Sequence, residues 1–169
     1  MYFDWVIRFN WSRIISTPVV QIPQDFLHRF LEGYGPNERA LKGLHEKGAE
    51  LILTVDCGIS SFEPLKAMSS VNLDLIVIDH HIPDTILPPA YAIINPKRID
   101  TQKGFEDLCA AGVSFIFLIG LNRDLRRKGF FRNKEEPDLF KFLDLVALGT
   151  VCDVVPLKGL NSASVKQGL

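Results

Sequence analysis

No apolar run in this chain approaches the roughly 20 residues of a membrane-spanning helix, so no membrane is expected as a partner. Paired cysteines are missing too. Cys57, Cys109 and Cys152 are odd in number, far apart and in no Cys-x-x-Cys arrangement. A disulfide framework is not indicated, and the expected setting is the reducing cytoplasm, with each thiol a small buried hydrophobe. A dominant charge is absent: the net charge is -1. Composition therefore does not announce a nucleic-acid binder, although a local basic groove is compatible with a neutral total. A signal-peptide core is lacking, because Asp4, Arg8, Asn10 and Arg13 interrupt the Trp-, Phe- and Ile-rich start. That start reads as an ordinary core element or as an amphipathic segment lying on a surface. There is no internal repeat and no low-complexity tract. What remains is a 47% hydrophobic chain of 169 residues, enough for one domain or a little more with a sizeable core.

The informative stretch is Asp74-Leu-Ile-Val-Ile-Asp-His-His81. Leu75 to Ile78 reads as a strand buried on both faces, the habit of a parallel sheet. Asp79, His80 and His81 then lie just past its carboxyl end, where ligands bind in open α/β sheets. Upstream, Glu50 to Val55 reads as a second aliphatic strand ending in Asp56. Between the two, Ser60 and Glu63 form a capping-box pattern for a helix running to about Ser70. The unit is βαβ, so Asp56 and Asp79 fall at the ends of neighbouring strands about 4.8 Å apart. Two carboxylates so close call for a cation or a shared proton.

The rest of the chain predicts further elements. Thr17 to Pro23 reads as a short strand and Gln24 to Leu31 as a helix. Glu32-Gly-Tyr-Gly-Pro-Asn37 reads as a tight turn, with Pro36 in the first turn of a helix that carries Ala40, Leu41 and Leu44 and ends at Gly48. Pro83, Pro88 and Pro89 mark an irregular loop before a third strand, Ala90 to Ile94. Lys97 and Arg98 follow it, as a solvated turn or as phosphate contacts. Cys109 to Lys128 predicts a long core helix closed by Gly129. Another is predicted from Asp138 to about Leu148, and one begins near Asn161. Asp153 is a lone carboxylate in an apolar run, either a helix cap or a ligand. The fold class expected is α/β, three-layered and doubly wound, with a mainly parallel sheet.

Asp56, Asp79, His80, His81 and Asp153 make a carboxylate-and-imidazole set. Oxygen and nitrogen donors without thiolate suit Mn²⁺ or Mg²⁺, and phosphodiester hydrolysis is the natural chemistry of such a site.

Several stretches resemble the DHH phosphoesterase superfamily, and within it the RecJ-type single-strand exonucleases. They are Glu32-Gly-Tyr-Gly-Pro-Asn37, Leu53-Thr-Val-Asp-Cys-Gly-Ile-Ser-Ser61, Ile76-Val-Ile-Asp-His-His81, Leu87-Pro-Pro-Ala90 and Ala92-Ile-Ile-Asn-Pro96. Leu108-Cys-Ala-Ala-Gly-Val113 and Asp144-Leu-Val-Ala-Leu-Gly-Thr-Val-Cys-Asp-Val-Val-Pro-Leu157 complete the set. The resemblance implies Asp56 as the carboxylate bridging two metal ions, with His80 and Asp153 completing the shell of one. It implies Asp79 orienting the histidines and His81 at the scissile phosphate, with Lys97 and Arg98 as candidate substrate contacts. It further implies 5′-end degradation of single-stranded DNA with Mn²⁺ or Mg²⁺ in recombination and repair.

One departure stands out. The family's Asp-x-Asp-x-Asp-Gly run, expected before Thr17, has no counterpart: between Met1 and Gln24 the only acid is Asp4. The expected layout is a non-matching segment over 1–19, a partial DHH domain over 20–160 and the start of a helix to a second domain over 161–169. Such a piece is expected to be impaired alone, with exposed apolar surface. A missing half on another chain is one expected partner. Other DHH enzymes acting on oligonucleotides or cyclic dinucleotides, and a non-catalytic interaction module, are the competing readings.

Overall fold

The computed structural model describes residues 35–169 apart from Gln102. The strand read at Thr17 to Pro23 and the helix at Gln24 to Leu31 lie outside the described residues.

Among the described residues the sheet has three strands, all parallel: β1 (Leu51–Val55), β2 (Asp74–Ile78) and β3 (Ala92–Ile94), in the order β1-β2-β3. Leu53 pairs with Ile76, and Ile76 with Ala92. The central strand explains the layering. Its side chains alternate between faces, and the four aliphatic residues Leu75 to Ile78 are all buried. Leu75 and Val77 join one core cluster with Leu41, Leu44, Leu65 and Met68. Ile76 and Ile78 join another with Ile94, Leu108, Val113, Ile116 and Phe117. Each buried side chain contributes about 1.5–3 kcal/mol. The first face is covered by α1 (Glu38–Glu46) and α2 (Phe62–Met68), the second by α3 (Ala110–Arg127). The result is the three-layer α/β fold expected.

Local chemistry sets the element ends. Asn37 accepts the Ala40 N–H at 2.8 Å and caps α1, so Pro36 sits just outside the helix instead of in its first turn. Gly48, at φ +93°, ends it as expected. The Ser60–Glu63 capping box does not form. The N-cap of α2 is Ser61, one residue later, and its side chain makes no capping bond. Cys109 caps α3, its sulfur accepting the Gly112 N–H at 3.4 Å. Gly129, at φ +74°, closes that helix. The third strand is shorter than expected, although the Tyr91 N–H still reaches Leu75 O at 2.8 Å.

The helix expected over 138–148 differs most. Asp138 accepts the Phe140 N–H and starts a 3₁₀ turn (Leu139–Phe142). Then α4 runs from Leu143 to Cys152, straight through Gly149, with Asp153 as its C-cap residue. α5 (Gly159–Gly168) packs against α4. No helix among the described residues is long and apolar enough to cross a membrane.

Candidate metal centre

The sheet delivers two carboxylates to one edge. Past Val55 the Asp56 N–H bonds Ile78 O at 3.0 Å; past Ile78 the Asp79 N–H bonds Ile94 O at 3.0 Å. Asp56 has φ +61°, a left-handed conformation that stores strain in a residue with a Cβ. Gly58 follows at φ +108°, and a Cβ there would lie 2.7 Å from Thr54 Oγ1. Only glycine fits this turn. It aims the Ile59 N–H at Asp79 Oδ2, at 3.0 Å.

Asp79 is 1% exposed and fully engaged. Its Oδ1 accepts the backbone N–H of His80 at 2.8 Å and of His81 at 3.2 Å, and faces His81 Nδ1 at 2.7 Å. Burial pushes this carboxyl up. The bonds from the His81 ring and from the Ile59, His81 and His80 N–H groups outweigh burial and hold its pKa below the ordinary value. Asp79 is an ionised anchor that accepts a hydrogen bond from Nδ1–H of His81. Nε2 is then the nitrogen of that ring available to a ligand.

His80 is buried, and both of its ring nitrogens face acids. Nε2 lies 3.2 Å from Asp56 Oδ1, and Nδ1 lies 3.5 Å from Asp153 Oδ2. Neither nitrogen is in hydrogen-bond geometry, so both are buried polar atoms without a hydrogen-bond partner. Buried nitrogens are rarely left so. Two ligands of one octahedral ion at 2.1 Å sit about 3 Å apart when cis, close to the His80–Asp56 separation. Donor atoms of Asp56, His80 and His81 all lie within 4.8 Å of one another. The donor set and its spacing fit a divalent cation. Cys57, beside the cluster, has its thiol pushed up by burial and by the charges of Asp79 and Asp56.

Of the residues singled out from the sequence, Asp56, His80 and His81 meet in one cluster, and Asp79 stands behind them. Asp153 reaches the opposite nitrogen of His80. It arrives from the end of α4, where it is the C-cap residue, with Oδ2 3.5 Å from His80 Nδ1. Arg98 is otherwise engaged: Nη1 donates to Ile93 O at 2.6 Å, and Nε donates to Asp100 at 2.9 Å. It buttresses the end of β3. The Lys97 backbone N–H bonds Asn95 Oδ1 at 2.8 Å. Sequence reasoning missed Asn95 as a site residue. It is fully buried and donates to His81 O at 2.9 Å, tying the turn after β3 to the turn after β2. Its signal was the one used for Asp56 and Asp79: a polar residue directly after an aliphatic strand.

The fold and cluster define a parallel α/β domain with a cation-type site at its carboxyl edge. The chain belongs to the DHH family: the model of the family's N-terminal domain matches residues 10–150. It is 44% identical over 144 residues to the single-stranded-DNA-specific exonuclease RecJ of Escherichia coli (strain K12), covering 84% of this chain and 25% of that protein. The crystal structure of exonuclease RecJ bound to manganese superposes with a TM-score of 0.68 at 35% identity, over 84% of this chain and 34% of that one. The crystal structure of RecJ in complex with Mn²⁺ from Thermus thermophilus gives 0.58 at 35% identity, over 75% and 18%. The chain thus spans a quarter of the length of the Escherichia coli relative.

Proposed function

We propose that this domain carries the Asp-His-His part of a Mn²⁺- or Mg²⁺-dependent phosphodiesterase centre acting on the 5′ end of single-stranded DNA. The observation that carries the reading is His80, buried with each nitrogen facing a carboxylate outside hydrogen-bond geometry. Likeness to single-strand exonucleases, two of them in manganese-bound structures, supports the choice of substrate and cation.

The roles proposed rest on these distances together with the family resemblance. Asp56 and His80 Nε2 would hold the cation. Asp153 faces His80 Nδ1 at 3.5 Å and would add its negative charge behind the ring, the side on which a ligating imidazole usually has a partner. A divalent cation bound there would supply Lewis acidity to the phosphodiester and make water a better nucleophile. Asp79 holds the His81 ring through Nδ1. As water adds to phosphorus it would lose its proton to solvent, and as the P–O bond to the leaving sugar breaks a proton held at His81 Nε2 would pass to that oxygen. Asn95 fixes the His81 backbone from behind. Lys97 is kept as a phosphate contact; Arg98 acts through the shape of the turn. The division into a segment over 1–19, a phosphoesterase domain over 20–160 and a connecting helix over 161–169 is part of the same proposal.

The test is release of nucleotides from 5′-labelled single-stranded DNA with Mn²⁺, beside dinucleotide substrates and Asp153→Ala. Release from long DNA, lost in the variant, supports the reading. Preference for dinucleotides moves the protein to another DHH activity. No release from either substrate, with Mn²⁺ binding no stronger than in Asp56→Ala, makes it a non-catalytic module.

A further inference from the structure

We infer that Gly149 is a positioning residue of the metal centre: the close crossing of α4 over the start of α3 at Gly149 and Ala111 sets how near Asp153 comes to His80. This rests on the metal-centre reading above. A Cβ built on Gly149 would lie 2.7 Å from Ala111 Cβ and 3.9 Å from Cys109 Sγ. Carbon atoms in contact prefer about 3.5–4.0 Å, so any side chain at 149 must push the two helices apart by close to 1 Å.

The start of α3 has little freedom to yield. Leu108 and Val113, on either side of Ala111, pack in the cluster with Ile76, Ile78 and Ile94 of the sheet. Cys109 is 1% exposed and caps the helix. So α4 must move. On α4 the neighbouring Thr150 is fully buried, with Oγ1 3.5 Å from Cys109 Sγ. This second contact places the same crossing. Asp153 lies one helical turn beyond Gly149, and its N–H bonds Gly149 O at 3.0 Å. Its carboxylate stands 3.5 Å from His80 Nδ1. A shift of α4 at residue 149 therefore reaches Asp153 nearly undiminished, and ligand geometry is sensitive on that scale.

A glycine inside a helix normally weakens it by about 1 kcal/mol relative to alanine. By helix propensity alone, Gly149→Ala would stabilise the protein. Close approach of the two helices accounts for the glycine, and the Asp153–His80 distance is what that approach sets.

The experiment is Mn²⁺ titration followed by electron paramagnetic resonance on the full chain, with circular dichroism confirming the fold. Gly149→Ala is expected to weaken Mn²⁺ binding about tenfold, the scale of losing an outer partner of a ligand. Adding Ala111→Gly, which removes the opposing methyl, restores wild-type affinity. In an Asp153→Ala background, Gly149→Ala causes no further loss. Ala111→Val crowds the crossing from α3 with Gly149 intact and must reproduce the weakening, which covers the case in which Gly149→Ala fails to fold. Wild-type affinity in both crowding variants overturns the inference, as does a loss that persists without Asp153 or that Ala111→Gly does not reverse. If wild type and Asp56→Ala bind Mn²⁺ alike, the metal-centre reading itself falls and takes the inference with it. If they differ while the crowding variants match wild type, only the inference falls.

Discussion

Asp79 is engaged through both carboxylate oxygens at the carboxyl edge of the sheet. It accepts from three backbone N–H groups and the His81 ring while almost fully buried. Asp79→Asn replaces one acceptor oxygen with a donor that faces N–H groups. It is expected to destabilise the protein by about 2 kcal/mol, as an unsatisfied buried group does, measured by urea unfolding. The pH dependence has a definite sign. The folded pKa of Asp79 is lowered, so its contribution is fully present above the unfolded-chain value of about 3.9. It is lost as pH falls through the folded value. The stability gap between wild type and Asp79→Asn should therefore narrow on acidification. A gap independent of pH would contradict ionisation of Asp79. His80, Asp56 and His81 were legible at this scale because polar residues closing an aliphatic strand have few structural uses. Asn95 obeys the same rule, but a neutral amide carries no charge or metal-ligating nitrogen to mark it in the sequence. The Arg98 bond to Ile93 O was invisible because it depends on a turn whose shape no short motif dictates.

At the scale of elements, strand ends and turns place the chemistry. The turn after β1 depends on Gly58, whose φ of +108° and contact with Thr54 leave no room for a side chain. Gly58→Ala is expected to cost about 2 kcal/mol from the positive φ and the clash together. It should also weaken Mn²⁺ binding, because Asp56 precedes the turn and the Ile59 N–H follows it. Loss of stability with unchanged Mn²⁺ affinity would show that the turn does not set the ligands. The three strands were readable because aliphatic runs between turn signals admit few alternatives. The end of α4 was not. The helix expected to end near Leu148 continues through Gly149 to Cys152, and the facing methyl of Ala111, far away in sequence, accounts for a glycine inside it. The Ser60–Glu63 box failed for a similar reason: the backbone after Gly58 places the first helical residue at Phe62.

At the scale of the whole molecule, the described residues leave apolar side chains in water. Leu145, Leu148, Val151, Val154 and Leu157, on α4 and just beyond it, are all exposed. Exposed apolar side chains of this kind, where they adjoin, bind hydrophobic dyes and promote association. The protein is expected to bind such a dye while its thermal transition remains cooperative, and Leu148→Lys should reduce the signal; unchanged fluorescence would place the dye elsewhere. Cation binding ties the molecule's stability to its site. At a hundredfold excess over Kd, a ligand of the folded state stabilises it by about 2.7 kcal/mol, so Mn²⁺ should raise the thermal midpoint and a chelator should reverse the rise. The central claim is that the carboxyl edge of this sheet is a cation site built on Asp56 and His80. Its most direct test is Mn²⁺ affinity measured by electron paramagnetic resonance for wild type, Asp56→Ala and His80→Ala. The account predicts saturable binding in wild type, weakened about tenfold or more in each variant. Equal affinity in all three would contradict it.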